Sequence, residues 1–146
     1  MSSQRHRQGQ APHHQGQTLD IHAIDLTTID ADLFSSIAYE TARTLACKDQ
    51  RNASNKSTQL RRFYEEIIMW DNRVAMHPEK FQEYLPFIRM INAKAAYALG
   101  RKLVDRNYVR LLEHCLQQVD NPENMRHFKL FMEAVMGFYK QERPKD

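Results

Sequence analysis

The chain has 146 residues, 42% of them hydrophobic and 27% charged, the composition of one soluble globular domain. Four glycines and five prolines are too few for a turn-rich sandwich, barrel or collagen-like repeat, so an all-α chain is predicted. The net charge is only +3, but it divides unevenly: −2 over residues 1–50, +6 over 51–110 and −1 over 111–146, which points to a polyanionic partner for the middle of the chain.

In chain order, residues 1–18 (MSSQRHRQGQAPHHQGQT) are Gln, His and Gly with almost nothing to bury, and a poorly ordered His/Gln-rich tail is expected over 1–29. Its adjacent His13 and His14 are read as incidental composition. The domain proper is predicted over 30–142, starting with Asp30 as an N-cap. Leu33, Ile37, Ala38, Leu45 and Ala46 then recur at helical spacing as far as Cys47. A polar loop follows (Lys48–Asn55). Ser54 or Ser57 is expected to cap a second helix, whose stripe Leu60, Phe63, Ile67, Trp70 and Val74 follows a 3-4-3-4 spacing.

That helix should stop near His77, because the residue before Pro78 is pushed out of the helical region. A short helix is expected at Pro78, and Pro86 is expected to open or kink the next, running to about Val104. Asp105 and Asn121 read as N-caps of two last helices over 106–119 and 122–141, with Pro122 at the favoured first position. Five or six helices with short connections predict a compact helical bundle.

Nothing in this pattern supplies an active site. No nucleophile elbow, P-loop, GxGxxG, HExxH or EF-hand loop is present. His114 and Cys115 are sequence neighbours, which diverge by about 100° around a helix. His127 with Glu133 and His77 with Glu79 lack a third ligand at readable spacing. Two cysteines on separate helices provide neither a disulfide framework nor a CxxC motif, and no catalytic residue, metal or cofactor is expected. No apolar run approaches the ~18 residues of a membrane span, and the polar N-terminus around Arg5 and Arg7 does not resemble a signal peptide, so a cytoplasmic protein without membrane contact is expected.

Two basic constellations stand out as candidate RNA-binding residues. Arg62 and Arg73 are eleven residues apart, about three helical turns, and so share a face, while Lys56 and Arg61 sit at the N-terminal end of the same helix, where free N–H groups also favour anions. Ordinary ion pairing of Arg61 with Glu65 and Arg62 with Glu66 competes with that reading. After Pro86, Met90, Lys94, Tyr97 and Arg101 form a stripe opposite Ile88, Ile91, Ala95 and Leu99, and Lys102, Arg106 and Arg110 continue the basic run on other faces. An aromatic between cations suits single-stranded nucleic acid; Tyr97 packed against a neighbouring helix or subunit is the competing explanation.

Three segments, taken together, resemble a known family. They are Ser57-Thr58-Gln59-Leu60-Arg61-Arg62-Phe63-Tyr64, Lys94-Ala95-Ala96-Tyr97-Ala98-Leu99-Gly100-Arg101, and Arg126-His127-Phe128 through Phe131-Met132-Glu133-Ala134-Val135 to Tyr139-Lys140. In this order and spacing they are similar to the small helical subunit of type III-A CRISPR-Cas (Csm) effector complexes. Arg61, Arg62 and Arg101 match its basic motif positions and Lys94 a frequent basic position, whereas Asn92-Ala93 departs from an Arg-Pro pair often found there.

The resemblance implies a non-catalytic structural subunit, lying in several copies along the guide RNA and target RNA duplex, with the large subunit, the backbone subunits and neighbouring copies of itself as partners. A helical DNA-binding regulator, or a basic bundle that binds an acidic protein, stays open as an alternative.

Overall fold

The computed structural model describes residues 18–46 and 54–144. The tail expected to be disordered, with His6, His13 and His14, lies outside the described residues over 1–17, as do Cys47 and most of the 48–55 loop. Among the described residues there are six α-helices and no strand: α1 (Ala38–Ala46), α2 (Ser57–Met76), α3 (Phe81–Arg89), α4 (Ile91–Gly100), α5 (Arg106–Gln117) and α6 (Pro122–Glu142). A bundle of this kind is the fold class that the sparse Gly and Pro content predicts.

The long helices form where apolar periodicity and capping agree. Leu60, Phe63, Ile67, Trp70 and Val74 of α2 are all buried, as the 3-4-3-4 spacing requires. Asp105 accepts a hydrogen bond from the Tyr108 N–H at 3.0 Å and Asn121 one from the Asn124 N–H at 2.8 Å, so both act as N-caps, with Pro122 at the first position of α6.

Other boundaries differ from expectation. Neither Ser54 nor Ser57 caps α2, since Lys56 occupies the cap position and its side chain makes no capping hydrogen bond. Asp30 does not cap a helix either; its carboxylate accepts the Asp32 N–H at 2.9 Å, and the chain passes through a π-helical turn (Leu33–Ile37) before α1. Pro86 opens nothing but lies inside α3, following a 3₁₀ turn (Pro78–Lys80); the bond it forgoes is the one to the Gln82 carbonyl near the start of the helix, and α3 ends separately at Arg89, before Met90. Helix α4 stops at Gly100 rather than Val104. Lys102 adopts φ 62°, its N–H donates to the Leu99 carbonyl and the Leu103 N–H to the Ala98 carbonyl, both at 2.9 Å. This pair of bonds is a Schellman stop, with lysine where glycine is usual.

The largest correction is the domain boundary, expected at residue 30. Leu19, Ile24 and Leu26 are at most 3% exposed and belong to the same core as the helices. Within the strap the Ile24 N–H donates to the Ile21 carbonyl at 3.1 Å, and side chains from the rest of the bundle supply further partners. Asn107 accepts the Leu19 N–H, Arg110 donates to the Leu19 carbonyl, Gln118 accepts the Leu26 N–H, His114 and Gln118 reach the Ile24 carbonyl, and Asn124 and His127 reach the Leu26 carbonyl. Buried backbone groups thereby stay paired, which allows an irregular segment into the core.

Pairings across the bundle set the helix directions. Asp71, whose carboxylate is 3% exposed, receives Arg126 Nε at 2.9 Å, and Tyr64 of α2 lies with Met136 and Tyr139 of α6, so α2 and α6 are antiparallel. Asn55 joins three elements at one end of the bundle. Its N–H donates to the Leu103 carbonyl at 2.9 Å, its side chain donates to the Leu45 carbonyl at 3.1 Å and accepts the Asp105 N–H at 2.9 Å, and its carbonyl takes the Tyr139 hydroxyl. The bond from Asn55 to Leu103 places the end of α4 beside the start of α2, so these two helices are also antiparallel.

Candidate nucleic-acid interface

Helices α2 and α4 form the surface on which most of the basic residues come together. The linking contact is Lys94 Nζ on Glu66 at 2.9 Å to each carboxylate oxygen, while Glu66 also accepts Trp70 Nε1 at 3.2 Å. Two competing readings are thereby settled. Glu66 is engaged by Lys94, Arg62 makes no ion pair among the described residues, and neither does Arg61 with Glu65. Among the described residues Lys94 is the one cation of the set with an ion-pair partner, and it ties α4 to α2.

Around this tie the face has two ends. At one lie Arg62, Arg101, Lys56 and Lys102, the last two each one residue away from the Asn55–Leu103 bond. Tyr97 is 66% exposed, so it does not pack against a neighbouring helix. The Arg101 guanidinium stands 5.9 Å from the Tyr97 ring centroid and 3.4 Å from its hydroxyl. At the other end Arg73 stands 5.2 Å over the Trp70 ring, which stacks on Phe87 with centroids 6.1 Å apart and planes 16° from parallel. Arginines laid on aromatic faces keep their charge and lose fewer rotamers on binding than free ones. The face therefore presents guanidinium groups without an ion pair among the described residues, Arg101 beside the exposed Tyr97 ring and Arg73 over the buried Trp70 ring.

Arg61 is not part of it. One residue from Arg62, it points about 100° away and lines a groove of about 380 Å³ between α2 and α6. Arg110 is occupied on the strap, donating to the Leu19 carbonyl at 3.1 Å. Phe87, 56% exposed, was not among the sequence candidates, because it lies off the apolar stripe and directly after a proline. Met76 and Met90 are exposed as well.

No catalytic pair assembles from the other candidates. Cys115 is fully buried and its thiol is pushed far up by that burial, His114 is bonded to the strap, and His127 Nδ1 lies 2.7 Å from the Leu26 carbonyl. His77 lies 3.5 Å from Glu79 at the surface. Among the described residues no three His, Cys, Asp or Glu side chains are grouped to hold a metal, and no helix is long and apolar enough to cross a membrane.

Comparison with known families matches residues 30–145 to the family described as Csm2 Type III-A. The chain belongs to the Csm2 family. Membership makes it a small subunit of the type III-A Csm complex, associated with other subunits of that complex. The match starts at residue 30, so the strap that completes the core lies in front of the matched region. No curated protein and no solved structure matches the chain.

Proposed function

We propose that this Csm2-family chain is a non-catalytic cytoplasmic subunit that lies in several copies along the guide RNA and target RNA, with the large and backbone subunits as partners and its α2/α4 face on the sugar-phosphate backbone. The observation that carries the reading is a set of arginines with no ion pair among the described residues, Arg62, Arg73 and Arg101, on the face where Lys94 engages Glu66. Guanidinium groups spaced along two antiparallel helices suit the repeating phosphates of a nucleic acid, and α2 alone separates Arg62 from Arg73 by about 16 Å.

Such contacts fix position and carry no sequence information, so base pairing with the guide supplies specificity. Tyr97 adds an aromatic platform and a hydroxyl beside Arg101, and Lys56 and Lys102 extend the positive field at the same end. Lys94 acts by holding α4 against α2.

The test is a triple charge reversal, Arg62→Glu, Arg73→Glu and Arg101→Glu, in the assembled complex. Target-RNA affinity should fall at least tenfold at physiological salt. Unchanged affinity refutes the reading, and duplex DNA bound more tightly than RNA by the isolated chain favours a DNA-binding regulator instead.

A further inference from the structure

The α2/α6 groove and the turn after the strap are complementary in charge, and they lie at opposite ends of α6. The groove is walled by Tyr64, Met136 and Tyr139 and rimmed by Arg61 and Lys140. Arg61 has no ion pair among the described residues, and Lys140 Nζ reaches only the Pro144 carbonyl, at 3.0 Å. Burial, with the nearby Glu133 carboxylate adding to it, raises the Tyr64 hydroxyl above the usual range, so this wall is partly dry.

Gly137 lies on the floor. A glycine inside a helix costs about 1 kcal/mol relative to alanine. Here no left-handed φ requires it, and a Cβ would meet nothing within 4 Å. What the missing side chain provides is room for something that approaches the helix backbone.

At the other end, His127 and Asn124 of α6 hold the Leu26 carbonyl, and the chain then turns outward through residues 27–32. Ile29 is 43% exposed at the tip, an isoleucine among Asp25, Asp30 and Asp32. The turn is fixed by its own aspartates, Asp25 accepting the Thr27 N–H and hydroxyl and Asp30 the Asp32 N–H. Neither Asp30 nor Asp32 has an ion-pair partner among the described residues. His127 and Gly137 are ten residues apart, about 15 Å along one helix, so this knob cannot reach the groove of its own chain.

We infer that the acidic turn of one copy seats Ile29 in the α2/α6 groove of the next, with Asp30 and Asp32 on Arg61 and Lys140. A contact between two different surfaces of identical chains repeats head to tail, which makes a row and not a closed dimer. The inference rests on the proposed row of copies and names the surfaces that form it. It also assigns Arg61 to protein contact, separate from the α2/α4 face.

The experiment uses the assembled complex with Ile29→Cys and Gly137→Cys combined in a Cys47→Ser background, treated with a short bismaleimide. Both positions are open, so neither change disturbs the core. The double variant should give a ladder of cross-linked multimers, and each single variant none. As a charge test, Arg61→Glu with Lys140→Glu should lower the copy number at least twofold, and adding Asp30→Arg with Asp32→Arg should restore it.

A complex that keeps several copies by native mass but gives no ladder overturns the docking surfaces and leaves the row standing. A complex with one copy overturns both. If Arg61→Glu lowers RNA affinity and no ladder forms, the groove takes RNA and the inference is wrong.

Discussion

Asn55 is the residue on which one end of the bundle depends. It sits at φ 61°, a conformation that asparagine tolerates and β-branched or bulky residues do not, and it bonds to the end of α1, the α4–α5 connection and α6. Asn55→Ala should cost about 2–4 kcal/mol, from left-handed backbone strain plus two buried hydrogen bonds. Asn55→Gly should cost less, because the strain is relieved. Urea denaturation reads both; equal costs for the two variants would show that the backbone conformation contributes nothing. None of this was legible in the sequence, where Asn55 ends a polar run and its partners lie 10 and 50 residues away. Glu66 is a similar case: its helical neighbour Arg62 was the visible candidate, but Lys94, 28 residues on, is the partner.

Among the elements, the helices were legible and the strap was not. A 3.6-residue period and a cap are local signals, which is why α2, α5 and α6 lie where apolar spacing, Asp105, Asn121 and Pro122 place them. Pro86 misled because it is accommodated near the start of α3, five residues after Phe81, and Lys102 because a helix stop usually shows glycine at that position. Leu19, Ile24 and Leu26 are spaced by five and two, which matches neither helix nor strand, and their burial depends on side chains from α5 and α6. If the strap is part of the core, Leu26→Ala should cost about 2–4 kcal/mol, as a buried leucine in a helix does. A shift in the urea midpoint of α6's Phe128→Leu alone, with Leu26→Ala indistinguishable from the parent chain, would place the strap outside the folding unit.

For the molecule as a whole, charge is sorted by position. Acidic residues gather on the strap and its turn, whereas Arg62, Arg73 and Arg101 stand on the α2/α4 face, and a net charge of +3 conceals the separation. In the proposed function the basic face lies on a polyanion, and in the proposed row the acidic turn meets the groove at the far end of α6. The basic middle of the sequence revealed the first of these; the second needed the fold, because Ile29 and Gly137 are brought to the two ends of one helix by packing. Residue roles divide the same way: Arg62 and Arg101 were legible as basic positions, whereas the turn of Arg61 away from them follows only from helix geometry and the position of α6.

The salt dependence of target-RNA binding counts the phosphates that the α2/α4 face neutralises. Complexes built with the parent chain and with Arg62→Gln, Arg73→Gln and Arg101→Gln would be compared across a salt series. Each phosphate contact contributes about 0.7–0.9 to the slope of log K against log salt. If the α2/α4 face lies on the RNA backbone, the slope of the variant should be shallower by at least about 2. Parallel lines, with or without a drop in affinity, would contradict it and move the RNA contacts to another surface.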